Sequence, residues 1–188
     1  MKKLINIVLF MSLSLVADNE ISVTQAGNSA AIDLEQLGSS NLIGGTSAES
    51  GSMTALDLDG VSMILDINQI GSSNVFRSDA IDGDNFTGFF EFTGDSNVFD
   101  ILMDSTGLID SDYVNLNINV TGSSNTFDLA IAEDDDASYL DLDWIITGGS
   151  NAFDFDIDYA NAINYVDVNG SSNTLNFSGS GYAGNTSS

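Results

Sequence analysis

Residues Val114 to Ile131 read VNLNINVTGSSNTFDLAI. Val114, Leu116, Ile118 and Val120 alternate with Asn115, Asn117, Asn119 and Thr121, the period of a strand with one apolar and one polar face. Gly122, Ser123 and Ser124 break that strand. Asn125, Phe127, Leu129 and Ile131 then carry the alternation onward, so the unit is strand, tight Gly-Ser-Ser-Asn corner, strand.

Working outward, the same unit recurs. Corners of the form G-x-x-N stand at Gly38/Asn41, Gly71/Asn74, Gly94/Asn97, Gly122/Asn125, Gly148/Asn151 and Gly170/Asn173. Two residues after the asparagine comes a large apolar residue: Ile43, Phe76, Phe99, Phe127, Phe153 and Leu175. Two residues before the glycine stand Gln36, Gln69, Phe92, Val120, Ile146 and Val168. Unrelated hairpins have no reason to keep one side chain at one offset. Stacked parallel rungs do, because equivalent positions lie above one another and pack as ladders. The expected fold is therefore all-β, a β-solenoid of about six strand-turn-strand rungs, with Phe76, Phe99, Phe127, Phe153 and Leu175 in its core. An antiparallel sandwich is the rival architecture.

The chain has 188 residues, the size of one domain. Lys2 and Lys3 precede an apolar run from Leu4 to Val16 that closes on Ala17, the pattern of a secretory leader, 1–17. The solenoid is expected over 18–177, followed by a flexible Gly/Ser-rich tail, 178–188. Acidic residues number 28 against three basic ones, and Arg77 is the only basic residue after the leader. Nucleic acid is excluded as a partner, since phosphate binding needs clustered Lys and Arg. No cysteine, histidine or proline is present, so thiolate chemistry and Ser-His-Asp constellations are unavailable and the chain reads as a non-enzyme. A hydrophobic content of 43% in strict alternation argues for an ordered β protein despite the acidity.

Gln25-x-Gly27 and Gln36-x-Gly38-x-x-Asn41 lie eleven residues apart, and Gln69-x-Gly71-x-x-Asn74 repeats the pattern. This resembles the curlin repeat, Q-x-G-x-x-N-x-A-x-x-x-Q, of bacterial amyloid fibre subunits, most closely the minor, nucleating curlin. Further along only Gly and Asn persist: Phe92, Val120, Ile146 and Val168 take the glutamine position, and Phe99, Phe127, Phe153 and Leu175 the alanine position. The resemblance implies an amyloid-like solenoid, export through a dedicated outer-membrane pore, a partner fibre subunit, and a place outside the cell in a cell-surface or biofilm matrix.

Function is then expected at the ends. Stacked strands leave an unpaired edge at top and bottom, and this chain has no proline or late lysine to blunt it. End-to-end self-assembly is the expectation, with Gln25, Gln36 and Asn41 at one edge and Asn173, Leu175 and Phe177 at the other. No cofactor is required. The acidic turns Asp82, Asp84, Asn85 and Glu133, Asp134, Asp135, Asp136 offer hard oxygen ligands suited to weak Ca²⁺ binding. The alternative is accordingly a monomeric, acidic, Ca²⁺-binding surface or adhesion module.

Overall fold

A computed structural model describes residues 6–9, 20–44, 56–103, 112–131, 138–158, 161–180 and 186–187. One sheet stacks, in order, β1 (Asn6–Leu9), β4 (Ala31–Leu37), β7 (Ile64–Ile70), β9 (Thr87–Thr93), β11 (Val114–Thr121), β13 (Leu140–Thr147), β15 (Ala162–Asn169) and β17 (Thr186–Ser187). The second stacks β2 (Glu20–Ile21), β5 (Leu42–Ile43), β8 (Val75–Asp82), β10 (Val98–Met103), β12 (Thr126–Ile131), β14 (Ala152–Asp158) and β16 (Thr174–Ser180), with β3 (Thr24–Ala26) and β6 (Leu56–Asp59) completing it beside β8. All pairings are parallel and each runs between successive passes of the chain, so the fold is a β-solenoid.

Alternation sorts the side chains. Along β13 burial switches at every residue, with Leu140, Leu142, Trp144 and Ile146 inside. Because each neighbour is in register, the inner positions form columns. One runs Gln36, Gln69, Phe92, Val120, Ile146, Val168. The facing one runs Ile43, Phe76, Phe99, Phe127, Phe153, Leu175. Rings in that second column lie 4.4 Å (Phe99–Phe127) and 4.9 Å (Phe127–Phe153) apart between centroids, and Phe92 closes on Phe99 at 3.8 Å from the opposite sheet. Full burial of such a side chain contributes about 1.5–3 kcal/mol, and the aromatic column shares the core with buried Ile, Leu and Val.

The corners explain the glycine. At Gly122 φ is 143°, and an added Cβ would lie 1.9 Å from the carbonyl oxygen of Gly94 in the rung before. Gly71, Gly94, Gly148 and Gly170 carry the same carbonyl on their bare faces, so the rungs approach each other at the corner only because the side chain is missing. The third corner residue is a serine each time: Ser40, Ser73, Ser96, Ser124, Ser150 and Ser172 all hold φ near 60°, the left-handed region.

A second corner joins the sheets on the opposite side. It stacks Gly27-Asn28-Ser29, Gly60-Val61-Ser62 and Gly83-Asp84-Asn85, and continues through Asp112-Tyr113 and Ser138-Tyr139. This places the stretch between Leu42 and Asn68 that carries no readable corner motif: β6 and β7 are one pass of the coil, turning at Gly60. Between successive G-x-x-N corners the chain advances by 33, 23, 28, 26 and 22 residues. Register at the corners survives these differences.

Strand pairings also occur inside the two terminal stretches. β1 lies inside the stretch read as a leader and pairs with β4, from Asn6 opposite Ala31 to Leu9 opposite Leu34. β16 runs on to Ser180, and Thr186–Ser187 pair with β15, within the stretch read as a tail.

Candidate functional site

The described residues are organised by ladders that run along the stack and by the ends where those ladders stop. The asparagine ladder is directional. The backbone N–H of Asn41 donates to Asn74 Oδ1 at 3.0 Å, Asn74 to Asn97 at 2.8 Å, Asn97 to Asn125 at 2.8 Å, Asn125 to Asn151 at 2.8 Å and Asn151 to Asn173 at 2.9 Å. Each carboxamide thus satisfies a buried backbone donor of the preceding rung, a group that costs about 1–3 kcal/mol if left unpaired. Asn151 and Asn173 also donate Nδ2 back to the carbonyls of Gly122 and Gly148, at 3.1 and 2.9 Å. Glycine and asparagine of the motif therefore act together: the bare glycine lets rungs close, and the asparagine ties them.

Among the glutamines, Gln69 Nε2 donates to Gln36 Oε1 at 2.8 Å, and both side chains are buried. Beyond Gln69 the column becomes Phe92 and aliphatic, so packing replaces the amide ladder. Gln25 is half-buried on β3, level with Leu58 beside the second corner, not in the column of Gln36.

Among the described residues, the second sheet ends at β16. Leu175, expected in the core, is 45% exposed, as is Phe177. Their parity is inward, but β16 is the last strand of its sheet, so nothing described lies on its outer edge. Val168, at the same level of the opposite sheet, is 37% exposed. Asn173, by contrast, is half-buried, and its backbone N–H stands where every earlier ladder asparagine finds an acceptor in the next rung.

The outer faces are acidic. Register lines up Arg77, Asp100, Asp128, Asp154 and Asn176 on successive strands. Arg77 Nε approaches Asp100 Oδ2 at 3.9 Å, a surface pair. Partial burial, with Asp154 and Asp156 nearby, raises Asp128 above the ordinary carboxylate value. Burial, Asp33 and Glu91 do the same to Asp66 on the other face, beside exposed Phe89.

Of the residues read as Ca²⁺ ligands, Asp82 is buried and Asp84 Oδ1 accepts from the Asp112 backbone at 3.1 Å. Asn85 holds φ 56° at the second corner. The Asp84 carboxylate thus ties the corner to the next rung, and among the described residues no group of three or more acidic side chains gathers to hold a metal ion. Glu133, Asp134, Asp135 and Asp136 lie outside the described residues.

Sequence reasoning named the Gly-Ser-Ser-Asn corner but missed that its third residue is a serine in all six motifs. It also missed Tyr113 and Tyr139, which extend the second corner as a stacked, exposed pair with ring centroids 4.9 Å apart and planes 7° from parallel. No family model matches the chain, and neither does a curated protein or a solved structure.

Proposed function

We propose that this chain is a secreted structural subunit that assembles end to end into amyloid-like fibres of a cell-surface or biofilm matrix. The observation that carries this reading is the unfinished C-terminal rung: inward-parity Leu175 and Phe177 left 45% exposed on an edge strand. Such an edge templates another strand unless it is blunted, and β16 carries no lysine or proline. Covering the two side chains adds about 1 kcal/mol each, half the value of full burial.

Continuing the observed register by one rung sets β2 and β3 of a second copy on β16. The columns Ile21–Ile43–Phe76–Phe99–Phe127–Phe153–Leu175 then bring Ile21 onto Leu175. Val23, which precedes the β3–β6 pairing and is partly buried against the core, comes onto Phe177. Apolar meets apolar. The contact is heterologous, head to tail, and such contacts propagate rather than close. By the resemblance to curlins, export uses an outer-membrane pore and a second subunit nucleates growth.

The test is seeded growth of the purified chain, followed by dye fluorescence and electron microscopy, beside a Leu175→Asp/Phe177→Asp double variant. Fibres with a cross-β spacing of about 4.8 Å are expected, together with arrest of elongation in the variant while its monomer retains its β circular dichroism. A chain that stays monomeric under all conditions, or a variant that elongates normally, overturns the reading.

A further inference from the structure

The two ends of the first sheet are each finished by a short strand, and both short strands extend the same column. Register runs Ala31–Ile64–Thr87–Asn115–Asp141–Ile163 through the stack. At one end Asn6 lies opposite Ala31, at the other Thr186 lies opposite Ile163. The chain alternates between sheets, so β15 and β16 are followed by β17 back in the first sheet, and β1 precedes β2. When β2 of a second copy sits on β16, a single strand position remains in the first sheet between β15 of one copy and β4 of the next. β17 of the first copy and β1 of the second both claim that position, and one strand alone fits it.

We infer that the Asn6–Leu9 strand is a plug: in the unprocessed chain it occupies the β4 edge that Thr186–Ser187 of a neighbouring copy takes in the assembled stack. The inference rests on the self-assembly reading above and adds a control to it. β1 belongs to the stretch from Lys2 to Ala17 whose basic start, apolar run and small terminal residue read as a removable leader. Its removal uncovers the edge of β4, whose inner residues Ile32, Leu34 and Gln36 are buried in the full chain. Joining through β17 is then coupled to processing, because an unprocessed subunit keeps the β4 edge filled by its own backbone. An intramolecular strand competes at a fixed high local concentration, and a plug that leaves the edge open about a tenth of the time weakens apparent binding about tenfold.

The test uses the full chain carrying an engineered protease site between Ala17 and Asp18, folded intact and then either cut or left uncut, with elongation of preformed seeds as the readout. The uncut chain is expected to elongate seeds about tenfold more slowly than the cut one. Val8→Pro in the uncut chain removes a backbone donor from β1 and is expected to restore most of the rate with the leader still attached. Thr186→Pro/Ser187→Pro in the cut chain is expected to slow growth. Equal growth of cut and uncut chains overturns the plug and leaves the self-assembly reading standing. Failure of both to grow overturns the two together. A leader-dependent rate that Val8→Pro does not change shows that pairing with β4 is not the cause, and normal growth of the Thr186→Pro/Ser187→Pro chain removes β17 as the occupant; either result overturns the inference.

Discussion

Phe127 and Leu175 hold the same place in the same motif, two residues after the corner asparagine, but only Phe127 has a rung above it. Phe127 is 1% exposed, with Phe99 at 4.4 Å, Phe153 at 4.9 Å and Trp144 edge-on at 5.3 Å. Truncating a buried phenylalanine costs about 3–5 kcal/mol, and each favourable aromatic pair adds about 0.5–1.5 kcal/mol. The neighbours are held by strands on both sides and have little freedom to collapse into the cavity, so Phe127→Ala is expected at the upper end, about 4–5 kcal/mol. Leu175→Ala removes a side chain already 45% exposed and is expected to cost about 1 kcal/mol in the monomer, while slowing seeded growth. Urea unfolding measures both. With a slope of about 2 kcal/mol/M the Phe127 variant shifts the midpoint by about 2 M and the Leu175 variant by about 0.5 M. Trp144, the chain's one tryptophan, packs directly on Phe127 and reports the local event. If its fluorescence and the β circular dichroism part company, the rungs are unfolding separately, as stacked repeats can. A Phe127→Ala cost below about 1 kcal/mol, or equal costs at the two positions, refutes the stacked-column account.

Other outcomes follow from the ladders and faces. Asn125→Ala removes the acceptor of the Asn97 N–H and is expected to destabilise by about 1–3 kcal/mol, measured by the same urea midpoint, whereas Asn173→Ala, at the last rung, costs less in the monomer and shows itself in elongation. Gly122→Ala meets the Gly94 carbonyl at 1.9 Å and is expected to leave no folded stack by circular dichroism; a native spectrum contradicts the close approach of the corners. Asp66 and Asp128 have folded pKa values raised by burial and by neighbouring acids. A raised acid favours the fold when protonated, so their contribution is complete below the ordinary carboxylate value and is lost as pH rises through the raised one. Urea midpoints at fixed ionic strength are therefore expected to rise on acidification from neutral pH, less so in Asp128→Asn, which already lacks two in-register repulsions of about 0.9 kcal/mol or less each. A midpoint that falls monotonically on acidification contradicts this.

Strand alternation, the repeated G-x-x-N corner and the constant offset of Phe99, Phe127 and Phe153 were enough, in the sequence alone, to specify a parallel solenoid and its inner face. These are local properties: side chains on a strand alternate with period two, and stacking makes equivalent offsets contact each other. The second corner was not legible, because Gly27-Asn28-Ser29, Gly60-Val61-Ser62 and Gly83-Asp84-Asn85 lack the asparagine that follows at the first corner, and Asp112-Tyr113 and Ser138-Tyr139 keep the backbone conformation without the glycine. Spacing likewise does not reveal that the Asp84 carboxylate accepts from the backbone of the next rung. Leu175 read as core because its motif is complete, and a motif carries no information about whether another strand lies above it. Burial in a stack is set by the neighbouring pass of the chain, tens of residues away, and so the open edge at β16 and the strand covering β4 were decided only by the tertiary structure.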